Sequence, residues 1–155
     1  MNTAKLCVSV FFMLIFSCSE GENSAEDEVP AELTKVQDTP FFELRTPLDW
    51  TLEVGQGFDT YVGHFIGPED EIFFDQGISS FGTLHNIRED DNTLSFEKTR
   101  VNGIPTVITK RNENDSVILF AYFDANDKVR LNKLYSIDPG DEDLVIKIFR
   151  THQFK

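Results

Sequence analysis

Residues 94–101 alternate cleanly. Leu94, Phe96 and Lys98 fall on one side of an extended chain, and Ser95, Glu97 and Thr99 on the other. Asn102-Gly103 follows. Both central residues of a type I′ turn need positive φ, so this pair predicts a two-residue hairpin with residues 104–110 as the returning strand. Pro105 near the start of that strand marks a first residue or an edge. After the polar turn 111–115, residues 116–123 are apolar at odd and even positions alike, which predicts a central strand covered on both faces. Residues 128–137 return, completing a four-strand antiparallel meander. Shorter strands are expected upstream at 41–45, 51–54, 60–66 and 71–75, separated by Pro47, by Gly55 with Gly57, and by Gly67-Pro68. Residues 76–92 are rich in Gly and polar residues and read as a loop with a short helical turn.

One helix is expected, over 139–150. Asp138 can cap its free N–H groups, Pro139 suits the first helical position, and three acids follow in the first turn. Leu144, Val145, Ile148 and Phe149 then form one apolar stripe. The expected fold class is α+β, a single antiparallel sheet with this C-terminal helix packed on it.

The first 40 residues read differently. In 1–17, Lys5 precedes an uncharged, mostly apolar run at 6–16, too short for a spanning helix and suited to a signal peptide. Ile15-Phe16-Ser17-Cys18 resembles a bacterial lipobox, which implies cleavage before Cys18, lipid on its thiol and acyl chains as the membrane anchor. Residues 18–40 then form a lipidated cysteine with an acidic tether. From 19 to 40, seven acids face one lysine and no aromatic residue occurs, the composition of a disordered spacer. The acids just after Cys18 also resemble a surface-export signal of some Gram-negative lipoproteins. The expected location is the cell envelope, as an outer-membrane lipoprotein, with the acidic segment either a surface-export signal or only a soluble spacer. Residues 41–155 form the globular domain.

Charge narrows the partners. A net charge of −13 argues against a nucleic-acid binder, which needs a basic footprint. The expected partners are the membrane, through Cys18, and an envelope protein. Both cysteines, Cys7 and Cys18, precede the domain, so a disulfide framework and Cys-based zinc sites are excluded from it.

Phe42-x-Leu44-x-x-Pro47-x-x-Trp50 reads as a strand ending in a Pro-x-x-Trp corner. With the meander and the capped helix, it resembles the Mog1/PsbP-like fold. It is similar to uncharacterised bacterial lipoproteins of that style, in which a Gln-Gly-x-Asp segment (Gln56 to Asp59 here) precedes Phe-Asp-x-Gly (Phe74 to Gly77). The resemblance implies an accessory or binding role and carries no shared catalytic set.

The candidate site residues are few. Asp59 and Asp75 stand beside glycines and aromatics rather than in charge runs, and Asp75 ends a strand that can neighbour the one holding His64. An Asp75–His64 pair could serve a small hydrolase as general acid–base machinery. The competing expectation is that both aspartates bond backbone in Gly turns and that His64 is a satisfied strand residue. A binding module should instead expose aromatics such as Trp50, Phe58 or Tyr61. A Ca²⁺-dependent module would draw on Glu69-Asp70-Glu71, on Glu89 to Asn92, or on Asp124 with Asn126 and Asp127, none of which has EF-hand spacing. His85 is placed in a loop, and His152 is expected to serve as a dipole partner at the helix C-terminus. No cofactor or metal is expected.

Overall fold

Pro47 ends one strand because it has no N–H to donate, and the chain turns there, with Trp50 N–H donating to Pro47 O (3.3 Å). That corner divides the molecule into two sheets. The computed structural model describes residues 29–57, 60–77, 83–124 and 131–155. Within them the strands are β1 (Lys35–Asp38), β2 (Phe42–Thr46), β3 (Thr51–Gln56), β4 (Tyr61–Ile66), β5 (Glu71–Gly77), β6 (Thr93–Val101), β7 (Ile104–Glu113), β8 (Ser116–Asp124), β9 (Leu131–Ile137) and β10 (Gln153–Phe154). The helix α1 spans Glu142–Phe149, and a single 3₁₀ turn spans Leu84–Asn86.

The order is β1-β2-β10 in the small sheet and β3-β4-β5-β9-β8-β7-β6 in the large one, with every pairing antiparallel. The single sheet with a packed helix is therefore a wrong expectation, and with it the Mog1/PsbP-like architecture. The fold is mostly β, two antiparallel sheets with one short helix. The Pro-x-x-Trp corner joins two sheets instead of closing a strand within one.

The second sheet also corrects the reading of residues 18–40 as spacer throughout. Leu33 is buried in the core, and β1 pairs with β2 from Lys35↔Thr46 to Asp38↔Glu43. The pattern concealed β1 because its inward residue is polar. Gln37 is buried and donates through Nε2 to Thr46 Oγ1 and to Trp50 O, both at 3.0 Å. A buried amide satisfied in this way costs little, but it leaves no hydrophobic alternation to read.

The main core lies between one face of the large sheet and a layer made of the small sheet and α1. Phe65, Ile72, Phe74, Leu119, Phe123 and Leu134 meet Phe42, Leu44, Val145, Ile148 and Phe149 there. Trp50 is 1% exposed and packs on Gly67, where an added Cβ would stand 2.3 Å from the indole. Phe74 similarly occupies the space a Cβ on Gly63 would need, at 2.5 Å. The opposite face of the sheet carries a smaller cluster of Val107, Phe120 and Tyr122, covered by Leu84 and Ile87 from the β5–β6 connection. That second layer explains why residues 116–123 are apolar on both sides.

Turn chemistry sets the meander. Asn102 (φ 49°) and Gly103 (φ 77°) make the expected hairpin, with Val101 opposite Ile104. Asn114 (φ 53°) and Asp115 (φ 67°) make a second one, which lets β7 run on to Glu113. The helix starts later than expected. Asp141 is its N-cap, accepting from Leu144 N–H at 2.9 Å. Asp138 instead takes a left-handed conformation (φ 46°), and its carboxylate accepts from Val117 N–H at 2.7 Å.

Candidate functional site

Of the expected site residues, Cys18 and Asp59 lie outside the described residues, as does Phe58. Trp50, expected at the surface of a binding module, is a core residue. Tyr61 is half-buried between Phe41 and Phe74, with ring centroids 5.3 Å away in each case, and burial pushes its hydroxyl pKa up.

His64 and Asp75 share the outer face of the large sheet, on neighbouring strands, without forming the expected pair. In register, Asp75 stands opposite Val62 and Lys133, and His64 opposite Glu53 and Phe73. The carboxylates that reach His64 are Glu71, at Nδ1, and Glu53, at Nε2 (3.3 Å). The ring thus links three adjacent strands. Because the carboxylates address opposite nitrogens, the trio does not converge on one point, as a metal would require.

Glu53, His64, Phe73, Tyr135, Phe120, Thr109 and Phe96 stand directly opposite one another across all seven strands. Phe73 and Tyr135 stack at 5.1 Å and 20°, and Phe120 tilts against Tyr135 at 5.9 Å and 33°. Their faces are spent on one another, so the row staples strands rather than offering a stacking platform. Lys133 Nζ lies 4.6 Å from the Tyr135 centroid. Burial lowers its pKa, and the charge of Asp75 opposes that shift.

Two of the three acidic loops are accounted for, while Asn126 and Asp127 of the third lie outside the described residues. Asp70 is buried, and its carboxylate accepts from Gly140 N–H (2.7 Å) and Asp141 N–H (3.3 Å), tying the β4–β5 turn to the helix start. Asp90 accepts from Arg111 (2.8 Å), which lowers its pKa ahead of smaller contributions from Asn92 N–H and Thr93. Among the described residues, no three His, Cys, Asp or Glu side chains gather as a metal site. His85 is exposed in the 3₁₀ turn. His152 is not a dipole partner but a core residue. It stacks on Phe123 (3.9 Å) and Phe42 (5.1 Å), and Nε2 accepts from Asn132 Nδ2 (2.9 Å). Burial lowers its pKa to about 3.

A concave site lies elsewhere among the described residues. A groove of about 350 Å³ opens where β2, β10, the end of α1 and the β6–β7 turn meet, walled on the remaining side by Val29 and Pro30. It exists because β10 is only two residues long and leaves the rest of the β2 edge uncovered, except where Arg45 N–H donates to Thr151 Oγ1 (2.8 Å). Glu43 and Arg45 project outward from β2, because Phe42, Leu44 and Thr46 point inward. Lys147 and Arg150 come from the last turn and C-cap of α1, positions that favour cations. The carbonyls there are already engaged by Arg150, Thr151 and His152 N–H groups.

Among the described residues, Arg45, Lys147 and Arg150 line this groove together with Glu43, and Glu32 and Glu97 pair with two of the cations. Lys147 pairs with Glu32 (3.0 Å), which raises the lysine pKa. On the Glu32 side, its own backbone hydrogen bond and then Lys147 lower the carboxyl pKa. Arg150 Nη2 donates to both carboxylate oxygens of Glu97, at 2.9 and 3.0 Å. Arg45 has no ion pair among the described residues. Sequence reasoning missed the groove because its cations are scattered over positions 45, 147 and 150, and only the fold gathers them.

No family model and no curated protein matches the chain. Among solved structures, it is similar to a protein from Bacteroides thetaiotaomicron VPI-5482, crystallised at 1.50 Å resolution, with 12% identity and a TM-score of 0.46. The match covers 74% of this chain and 45% of that one. Among the described residues, no helix is long and apolar enough to cross a membrane.

Proposed function

We propose that the protein is a lipid-anchored envelope protein that acts as a binding module, with the groove beside its N-terminal tether as the site and a carboxylate-rich ligand as the occupant. The observation that carries this reading is the gathering of Arg45, Lys147 and Arg150 in one groove of a chain whose net charge is −13. Arginine presents a planar fork that matches a carboxylate with two parallel hydrogen bonds. Arg45 is the cation with that capacity unspent.

The anchor is the lipid expected on Cys18, where two or three acyl chains would hold the protein stably. The acidic run after it suits an outer-membrane lipoprotein displayed at the surface. The alternative of a small hydrolase loses its basis, because His64 engages Glu53 and Glu71 rather than Asp75.

The test is calorimetric titration of the full chain, in neutral detergent, with hexaglutamate and with hexaglutamine. Binding of hexaglutamate alone, weakened tenfold or more by Arg45→Gln and by 0.5 M salt, is the expected result. Equal binding of the two peptides, or equal affinity in Arg45→Gln, refutes it.

A further inference from the structure

We infer that His152 is an acid-sensitive latch: on protonation its ring leaves the core and frees segment 151–155, with β10, from the edge of β2 while the two sheets stay folded.

The ring is the main hold on this segment. β10 makes two ladder pairs, Gln153↔Glu43 and Phe154↔Phe42. Arg45 N–H donates to Thr151 Oγ1 (2.8 Å), Lys155 N–H to Phe41 O (3.1 Å) and Asn102 Nδ2 to His152 O (2.8 Å), and Lys155 pairs with Asp38 at the surface. A surface ion pair and bonds at a sheet edge contribute little each. The imidazole, by contrast, is fully buried, stacked on Phe123 at 3.9 Å and on Phe42 at 5.1 Å, with Phe154 edge-on at 4.7 Å. The helix has a separate hold, because Val145, Ile148 and Phe149 sit in the core. It keeps its place when the segment after it leaves.

The slot fits the neutral ring alone. Nε2 accepts from Asn132 Nδ2, so the ring's own proton sits on Nδ1, a buried atom with no hydrogen-bond partner among the described residues. A second proton would set an N–H against the amide N–H at Nε2 and leave a charge in an apolar slot. The side chains around the ring are uncharged: Phe42 of β2, Phe123 of β8, Asn132 of β9 and Phe154 of β10. Their charged neighbours turn away or are engaged elsewhere. Glu43 projects outward, Asp124 and Lys133 fall on the other face of their strands, Lys155 meets Asp38, Lys147 meets Glu32 and Arg150 meets Glu97. Once released, the ring is an ordinary imidazole with a pKa of ~6.5, whereas burial lowers it to about 3. Acid therefore favours the open form, and the ratio of open to closed rises roughly 30-fold from pH 7.5 to pH 5. Thr151 and Gln153 line the groove beside β2, so opening removes that wall whatever the groove binds.

The test is native-state amide exchange on the full chain in neutral detergent, read by NMR from pH 7.5 to pH 5 and corrected for intrinsic rates. The Arg45 and Lys155 amides report the latch, and those of Ile108 and Ala121 in the β7–β8 ladder report global unfolding. Arg45 and Lys155 should open at least tenfold more readily than Ile108 and Ala121. Their opening constant should rise roughly 30-fold across the range, and about tenfold per unit below pH 6. In His152→Phe combined with Asn132→Leu it should change less than threefold. Should that variant fail to fold, the wild-type profile decides, because an opening governed by carboxylates begins to rise only near pH 5. Equal opening constants for all four amides mean that the segment leaves only with global unfolding. No rise above pH 5, or the same rise in wild type and variant, removes His152 from the switch. Any of these results overturns the latch.

Discussion

His152 makes the stability of the protein depend on pH in a way that one substitution isolates. The ring is stacked between Phe42 and Phe123, receives a hydrogen bond from Asn132 and is fully buried. Burial lowers its pKa from 6.5 to about 3. Below pH 6.5 the unfolded chain takes up a proton at this site and the folded chain does not. Stability therefore falls as pH falls, from the unfolded pKa down to the folded one. Each pH unit in that window corresponds to ~1.4 kcal/mol, so the loss due to this residue is about 2 kcal/mol at pH 5 and roughly 3 kcal/mol at pH 4. At pH 7.5 it is near zero. His152→Phe keeps a ring between the same neighbours but leaves Asn132 unpaired, at a pH-independent cost of about 1–3 kcal/mol. Adding Asn132→Leu removes that orphan. Urea unfolding at pH 7.5, 6.5, 5 and 4 measures the difference, and the remaining carboxylates titrate alike in both chains. The gap between wild type and variant should narrow or reverse by about 2 kcal/mol between pH 7.5 and 5. A gap constant across that range refutes the buried neutral imidazole.

Other perturbations have definite expectations. Leu33→Ala should cost about 2–5 kcal/mol in urea unfolding, because the side chain sits in the main core; a change below 0.5 kcal/mol would return residues 29–40 to a spacer role. Gly67→Ala should cost about 1–3 kcal/mol and alter Trp50 fluorescence, because its Cβ would meet the indole; an unchanged emission spectrum contradicts that contact. Cys18→Ala should leave the protein unprocessed or release it from membranes, read by detergent partitioning and mass. His64→Ala should lower stability by about 1 kcal/mol through the lost links to Glu53 and Glu71, and a hydrolytic activity that vanished with it while folding held would revive the enzyme reading.

What the sequence disclosed follows from where its signals are local. Asn102-Gly103 and the alternation on both sides of it specify a hairpin within a few residues, and the meander β6–β9 was legible for that reason. The double-sided apolar run in β8 announced two covered faces, although not that Leu84 and Ile87 would cover one of them. The second sheet was hidden because it is held by long-range pairing of unremarkable residues. The inward side chain of β1 is a glutamine, and β10 is a two-residue extension after the helix. The Pro47-x-x-Trp50 corner was visible, but a corner within a sheet and a corner between sheets share the same local chemistry. The helix start was misplaced because Asp138 and Asp141 are both good caps, and contact of Asp70 with the Gly140 and Asp141 N–H groups chose between them. For the site, the expectation rested on carboxylates near a histidine in sequence. Register decided which carboxylates that histidine meets, and the groove's cations converge only through folding.

The most direct measurement is the NMR response of the arginine and lysine side chains to hexaglutamate added to the full chain. Selective shifts of Arg45, Arg150 and Lys147 are the predicted result. Shifts confined to Lys98 and Lys133 on the outer face of the large sheet, with the groove residues silent, would contradict the assignment of the groove as the binding site.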